Sequence, residues 1–370
     1  MAGVRTVNAR SPHDTNHPPA RPRRHHRRPA LPPGLPTVRL HVLVCLEGNR
    51  LAFVARLDLP PPDVDEWAVV DELLPHVLRE APDRVVLVGF ETVAGRAEPI
   101  VAAMHDALLD EDIEVADRLL VRDGRWWSLG CTDGCCPAEG QQLPGDEDVP
   151  AIADYVLLGR RPAPSRADLD ARLAPGPVDA AMTGRCTRLS ADLEAVVRRG
   201  GSPQRSWCRS ALIAWGDLLD VDDDPGRPGA ELTRETWARL VVSLRDRNLR
   251  DLVIAWICPG TLSLEVFEPA LLELAESHLP PRGRDGARPP PEWAREHDRM
   301  TERLAELCRH GPAELSPGPL TVLASFTWWL GDGALTRTAL ERALEVDPDY
   351  RLAQLLERMV TLAIRPGCAA

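Results

Sequence analysis

The sequence feature that most constrains the fold is an uninterrupted apolar run, RVVLVGF, at Arg84–Phe90. A short run of this composition predicts a strand at the centre of a sheet, parallel to at least one neighbour. Two apolar segments precede it, at residues 39–46 and 51–59, and the turn residues Glu47–Asn49 separate them. This arrangement predicts a β-hairpin. The chain must therefore build a sheet that contains the run at Arg84–Phe90 in its interior.

A helix is predicted between the hairpin and the central strand. Asp63 or Asp65 is placed to cap a helix that extends through about Glu80, because a carboxylate there can accept the free backbone N–H groups of the first turn. Apolar residues recur in this segment at helical spacing. Pro75 falls inside the apolar stripe, so we expect it to kink or divide the helix.

The segments after the central strand complete a ββαβαββ order. The pattern predicts a helix over 99–110 and a strand over 113–121, which the turn Asp123–Gly124 joins to a strand over 125–129. This order is typical of a mixed sheet flanked by helices. The predicted fold class of residues 38–144 is therefore α/β.

After Pro144 the pattern changes to helical periodicity, which predicts an all-α domain over residues 145–366. Two domains also fit the length, because 370 residues exceed what one ordinary core holds. The Pro- and Gly-rich stretch 279–291 predicts a linker inside the helical domain. Three or four helices are predicted after Glu292, and the earlier ones are predicted at 148–158, 166–173, 178–199, 209–219, 232–246, 249–256 and 262–278.

Residues 317–348 form a predicted helical hairpin that is similar to one tetratricopeptide repeat. Thr336 stands where the repeat has a small Ala, and Leu320 stands where it has Trp. Only one copy is visible, whereas such repeats need about three copies to form a groove. We therefore expect a helical hairpin packed on its neighbours. The positions that match the repeat are Gly331, Leu340, Ala343 and Pro348.

The charge distribution separates a basic N-terminal tail from an acidic body. The net charge is −12, and residues 1–37 are rich in Arg, His and Pro, which predicts a disordered tail. The acidic remainder argues against a nucleic-acid groove, because phosphate contacts need a basic face. No apolar run reaches the ~18 residues of a membrane span. We therefore predict a cytoplasmic protein with reduced thiols.

Three cysteines, Cys131, Cys135 and Cys136, lie together in a turn-rich segment. Thiolates at this density could bind zinc, which takes four such ligands, so a fourth ligand would have to come from another part of the chain. The candidates are Cys45, His105, Cys186 and Cys208. A redox role and an inert structural role stay open as alternatives.

A ligand site is predicted at the carboxyl end of the central strand, where ligands gather in open α/β sheets. Glu91 and Thr92 would lie there, facing the segment that contains Arg125 and Trp126. Two Trp residues, Trp126 and Trp127, should point to opposite faces of a strand. The sequence contains no phosphate-binding loop, nucleophile elbow or HExxH motif, so no catalytic set is visible.

The block DGRWWSLGCTDGCCPAEG at 123–140, together with the hairpin, the central strand and the ending WWLGDGALTRTALERALEVDPDYRLAQLL, resembles an uncharacterised actinobacterial family of unknown function. The resemblance covers roughly Val38–Leu356 and implies the two-part architecture and a cytosolic location. Members of that family usually begin with an amphipathic helix before the first strand, and RPRRHHRRPALPPGLP takes its place here. The family implies no activity.

Three functional hypotheses follow. The first is a non-enzymatic cytosolic binding or scaffolding protein whose helical domain contacts a protein partner. The second is a small-molecule enzyme or ligand sensor with a cleft near Glu91 and residues 125–136. The third is a zinc- or redox-responsive module that uses Cys131, Cys135 and Cys136.

Overall fold

The computed structural model shows a mixed sheet with helices, followed by a mostly helical region. The predicted fold class is therefore confirmed. The predicted tail over residues 1–37 and almost all of the predicted helix over 148–158 lie outside the described residues, as does most of the predicted linker over 279–291. The structure describes residues 40–48, 50–59, 61, 63–131, 136–145, 148, 166–176, 180–220, 232–281, 294–362 and 364.

Six described strands form one sheet in the order β2-β1-β3-β4-β5-β6. Strands β3 and β4 are parallel, and every other neighbouring pair is antiparallel. The two-residue strand β6 is an addition to the predicted ββαβαββ order. The strands are β1 (Leu40–Glu47), β2 (Arg50–Asp58), β3 (Arg84–Phe90), β4 (Glu114–Arg122), β5 (Arg125–Ser128) and β6 (Gln141–Gln142).

The predicted central strand is β3, which lies between β1 and β4. Val85 and Leu87 are fully buried, and they belong to the apolar cluster that joins the sheet to its helices. Gly89 continues this face, and a Cβ there would lie 2.7 Å from Cβ of Ala97. A glycine at this position therefore allows the start of the following helix to approach the strand closely.

Helix α1 (Glu66–Glu80) follows the hairpin, and α2 (Glu98–Asp110) connects β3 to β4. Asp65 caps α1 by accepting the backbone N–H of Trp67 at 3.1 Å. The expected division at Pro75 is wrong, because α1 continues through this residue. Pro75 lies on the exposed side of the helix, while residues on the buried side, such as Val77, pack into the core. This burial offsets the backbone hydrogen bond that Pro75 cannot make.

The helical region differs from the predicted pattern in two clear places. The helix predicted over 209–219 begins earlier, at Gly201. The predicted helix over 262–278 is broken into a 3₁₀ turn at Leu264–Val266 and a later α-helix that begins at Pro269. Proline suits the first turn of a helix and interrupts a continuous one, which explains the break. The helices are α3 (Arg166–Leu173), α4 (Ala180–Arg199), α5 (Gly201–Leu219), α6 (Arg234–Ser243), α7 (Arg247–Ile257), α8 (Pro269–His278), α9 (Ala294–Arg309), α10 (Pro317–Leu330), α11 (Gly333–Val346) and α12 (Arg351–Thr361).

Helix α10 occupies the centre of the helical region, and every residue from Pro317 to Thr327 is buried. Gly331 ends α10 in the left-handed conformation, and Asp332 caps α11. The departure from the repeat pattern at Thr336 has a structural explanation. Its hydroxyl lies 2.9 Å from the hydroxyl of Thr327 and donates to the carbonyl of Asp332, so the added polar atom is satisfied inside the core.

Residues 38–370 form one compact unit by their backbone contacts. Within it, apolar side chains form two separate clusters, one between the sheet and helices α1 and α2 and the other among the later helices. The division into two domains near residue 144 stays a prediction. Of the helices in the described ranges, none has the length and apolar character that crossing a membrane requires.

The contact between α5 and the end of α8 gives a test of this packing. A Cβ at Gly216 would overlap the backbone carbonyl oxygen of His278. We expect Gly216→Ala to lower the free energy of unfolding by about 1–3 kcal/mol, because a backbone atom cannot move aside as a side chain can. Urea denaturation followed by circular dichroism measures the change.

Gly333→Ala is the matched control, because a Cβ at Gly333 would meet nothing within 4 Å. We expect this variant to keep the stability of the parent to within about 0.5 kcal/mol. Equal losses in the two variants would contradict the close approach of α5 to His278.

Candidate functional site

Glu91 lies at the carboxyl end of β3, as predicted, but its side chain is only 1% exposed. One carboxylate oxygen accepts the backbone N–H of Gly95 at 3.2 Å, and the other accepts that of Ala97 at 2.9 Å. These donors lie immediately before α2. Glu91 therefore serves as an internal cap for the N-terminus of α2, where a negative charge is favourable.

Arg122 completes the surroundings of this carboxylate. Its guanidinium donates from Nη1 to Oε1 of Glu91 at 2.8 Å. The parallel register aligns Phe90 with Val121, so the residues that follow them, Glu91 and Arg122, meet at the same end of the sheet. The Arg122 side chain is 25% exposed, and the central carbon of its guanidinium lies 4.8 Å from the ring centre of Trp127. This chain of contacts links the helix cap to the β4–β5 hairpin.

Trp127 links the hairpin to the segment that precedes β6. Its indole N–H donates to the carbonyl of Ala138 at 3.2 Å. A Cβ at Gly140 would lie 2.5 Å from the indole ring, and Gly140 also has a φ of +78°, which favours glycine. Arg125 donates to the carbonyl of Gly140 at 2.9 Å. The two ends of the block 123–140 are therefore packed against each other.

The four residues predicted to bind a ligand have different surroundings. Glu91 is buried and bonded to groups of its own chain, whereas Thr92 is exposed. The side chain of Arg125 reaches the carbonyl of Gly140. Trp126 is half-buried, and strand alternation directs it to the face opposite Arg125. Ligand binding by these four residues stays a prediction.

The geometry at Glu91 has a chemical consequence. The N-terminus of a helix that follows a parallel strand is a common place for a phosphate or another anion. Here the chain's own carboxylate accepts the N–H groups of Gly95 and Ala97, and Arg122 supplies the balancing charge. The arrangement therefore fixes α2 against the sheet without any added anion.

Arg122, Trp127 and Gly140 were not among the predicted site residues. A signal for Arg122 exists in the sequence, because this residue immediately precedes the turn Asp123–Gly124 and thus marks the end of β4. Both turn residues have positive φ, as a tight hairpin turn requires. Gly140 and Trp127 contact each other only because of the path that the chain follows between them. No local sequence pattern therefore predicts this contact.

The predicted zinc ligands are described only in part. Cys131 and Cys136 are half-buried, and Cys135 lies outside the described residues. Within the part of the chain that the structure describes, no group of three or more His, Cys, Asp or Glu side chains could hold a metal ion. Zinc binding by Cys131, Cys135 and Cys136 therefore stays a prediction.

The cysteines and histidine considered as a fourth ligand lie in different settings. Cys45 is fully buried in the sheet cluster, while Cys186 and Cys208 belong to the buried cysteines of the helical region. Burial raises the pKa of both Cys186 and Cys208 to about 11, and nearby carboxylates add to the effect, so both thiols are protonated at neutral pH. His105 lies 3.2 Å from the carboxylate of Asp106.

Two cavities among the described residues lie in the helical region, away from the predicted ligand site. One, of about 50 Å³, lies beside Leu173, Cys308 and Arg342. The other, of about 330 Å³, lies near Glu194 and Arg245, whose charged groups pair with each other at 3.2 Å. Two of the charged side chains that line the larger cavity therefore already form an ion pair with each other.

Helix α12, the last helix of the described residues, has an exposed apolar side beside its buried one. Ala353 and Leu356 are buried against the helical core. A second row of apolar residues follows α12 at intervals of four and three residues. These residues do not belong to the buried core. Leu355 is 49% exposed and Leu362 is 44% exposed, and Ile364 beyond the helix is 39% exposed. We name this surface the α12 edge, and it consists of Leu355, Met359, Leu362 and Ile364.

Removing the carboxylate of Glu91 tests its structural role. We expect Glu91→Ala to lower the free energy of unfolding by about 2–4 kcal/mol, because Arg122 loses its partner and two backbone N–H groups lose their acceptor. Amide hydrogen exchange should also accelerate at the start of α2. Glu98→Ala, which removes an exposed carboxylate from the first turn of the same helix, should cost less than about 1 kcal/mol. Similar losses for the two variants would contradict the buried cap.

The contact between Trp127 and Gly140 allows a test with a matched glycine. Gly124 and Gly140 both have positive φ, but a Cβ at Gly124 would meet nothing within 4 Å. Gly124→Ala should therefore show only the backbone strain, about 1 kcal/mol. Gly140→Ala should cost about 2 kcal/mol more, since the methyl group would displace the indole ring. Thermal unfolding of both variants measures the difference, and equal costs would contradict the contact.

The sequence matches a family described as a domain of unknown function, DUF4192, over residues 41–367. No curated protein and no solved structure matches the chain. The predicted resemblance to a family of unknown function is thereby confirmed, whereas the actinobacterial origin and the family motif stay predictions. Because the match covers most of the chain, this protein belongs to the DUF4192 family.

Proposed function

We propose that this protein is a non-enzymatic cytosolic binding or scaffolding protein that contacts a protein partner through its helical region. The observation that carries the proposal is the α12 edge. Its apolar side chains recur on one helix at the spacing by which helices recognise each other. The sequence predicts only that the helical domain contacts a partner, and we assign this contact to α12.

The distribution of apolar residues around α12 supports this assignment. A surface helix normally places polar residues on the sides that face away from the core. In α12, the row that contains Leu355 and Leu362 is instead apolar and half-exposed. Complete burial of a Leu side chain contributes about 1.5–3 kcal/mol, so a partner that covers both would gain part of that free energy.

Hydrogen bonds to backbone groups fix the position of the α12 edge. The indole N–H of Trp328 in α10 donates to the carbonyl of Ile364 at 3.0 Å. Arg79 in α1 donates to the carbonyl of Leu362, also at 3.0 Å. The backbone N–H of Ile364 returns to the carbonyl of Met359 at 2.9 Å. These bonds hold the apolar row in place before any partner arrives, which lowers the entropy cost of binding.

Single exposed apolar residues elsewhere are ordinary. Val266 is 72% exposed and Ile213 is 44% exposed, and such residues occur on most protein surfaces. The α12 edge differs because its members adjoin one another along one helix and its end. An interaction surface is a contiguous group of exposed apolar residues, whereas a single exposed residue is not one.

The proposal predicts that partner binding depends on the edge. The double variant Leu355→Ser, Leu362→Ser should weaken binding of a partner at least about tenfold, because it removes the apolar contacts of one row. Quantitative co-purification from cells that naturally express the protein measures the effect, with circular dichroism as the check of folding.

Ile213→Ser is the control, since Ile213 has nearly the exposure of Leu362 but lies on α5. It should leave the set of bound partners unchanged. If the double variant retains every partner of the parent protein, the α12 edge is not the binding surface.

A further inference from the structure

The charges beside the α12 edge indicate what kind of partner it binds. Arg351 precedes Leu355 by four residues, and Arg358 precedes Leu362 by four. Residues three and four apart are neighbours on a helix surface, so both guanidinium groups lie along the exposed apolar row. Arg351 and Arg358 are themselves exposed. The edge thus combines an apolar row with a basic margin.

Arg351 and Arg358 do not form the ion pairs that some other arginines of the helical region form with described residues. Arg185, Arg245 and Arg342 each lie within 4.0 Å of a carboxylate. None of the ion pairs found between described residues includes Arg351 or Arg358. The full chain has a net charge of −12, so this basic margin is opposite in sign to the overall charge of the protein.

The acidic residue within α12 does not neutralise this margin. Glu357 lies two positions from Leu355, which on a helix directs it about 200° away, to the opposite side. Arg79 adds a third guanidinium near the end of the row through its bond to Leu362. The charged groups of α12 that border the exposed row are therefore guanidinium groups.

We propose that the α12 edge, with Arg351 and Arg358, docks an amphipathic helix of a partner protein whose apolar stripe is bordered by Asp or Glu. This inference rests on the proposed function and names its partner class. Leu355 and Leu362 would contact the apolar stripe of that helix. The guanidinium groups would pair with its carboxylates, a geometry that Arg suits because its planar donors match two oxygens.

Charge argues against two other occupants. A symmetric pair of α12 edges from two copies would bring the same basic margins into one interface, and like charges at an interface are unfavourable. The N-terminal tail is rich in Arg, so it would be repelled as well. An acidic amphipathic helix complements both the apolar row and its margin.

The test uses the full-length protein and two synthetic helical peptides of about 18 residues, a length at which isolated helices can form. The peptides share one Leu stripe and differ only in its borders, which are Glu in one and Lys in the other. Fluorescence anisotropy should show that the Glu-bordered peptide binds about tenfold more tightly. The double variant Arg351→Glu, Arg358→Glu should invert this preference.

Arg205→Glu, Arg209→Glu is the matched control, because it changes the net charge equally at two exposed positions four apart on α5. It should keep the preference for Glu borders. Absence of binding, equal binding of the two peptides, or the same inversion in the control variant would each overturn the inference. Sedimentation that shows a dimer, dissociated by Leu355→Ser, Leu362→Ser, would identify a second copy as the occupant and overturn it too.

The two proposals can fail separately. If the Leu355 and Leu362 substitutions release a cellular partner while Arg351→Glu, Arg358→Glu does not, the edge is a binding surface without charge recognition. In that case the proposed function stands and the acidic partner helix is wrong. If the Leu substitutions release nothing, both proposals are wrong.

Discussion

The buried carboxylate of Glu91 is the interaction on which the arrangement of the α/β part depends. Removing a carboxylate from water is costly unless donors and an opposite charge surround it. Gly95 and Ala97 provide the backbone donors, and Arg122 provides the charge. One side chain thereby ties the ends of β3 and β4 to the start of α2, so none of these elements can shift without leaving the carboxylate unsatisfied.

The contacts of Glu91 continue through Arg122 into the block 123–140. Arg122 reaches the ring of Trp127, and Trp127 lies against Gly140. Arg125 then holds the carbonyl of Gly140 from the other side. Packing therefore explains the presence of Trp127 and Gly140 near the two ends of the block.

Much of the fold could be predicted because its signals are local. The apolar run at Arg84–Phe90 identifies the central strand, and Asp123–Gly124 identifies a hairpin turn. The predicted division at Pro75 is wrong because Pro75 lies on the exposed side of α1, and burial of the opposite side stabilises the helix. The hydrogen bond between the hydroxyls of Thr336 and Thr327, by contrast, depends on how α10 and α11 pack, so the repeat pattern does not predict it.

The candidate site was harder to predict, since its contacts depend on register and on tertiary approach. Glu91 was correctly placed at the end of β3, but its partner Arg122 becomes evident only when the parallel alignment of β3 and β4 is known. The α12 edge is difficult to predict for a different reason. Every apolar residue of α12 fits helical periodicity, and only the packing of Ala353 and Leu356 into the core separates the buried row from the exposed one. The role of Arg351 and Arg358 can be inferred only once the exposed row is known, because these two residues border that row.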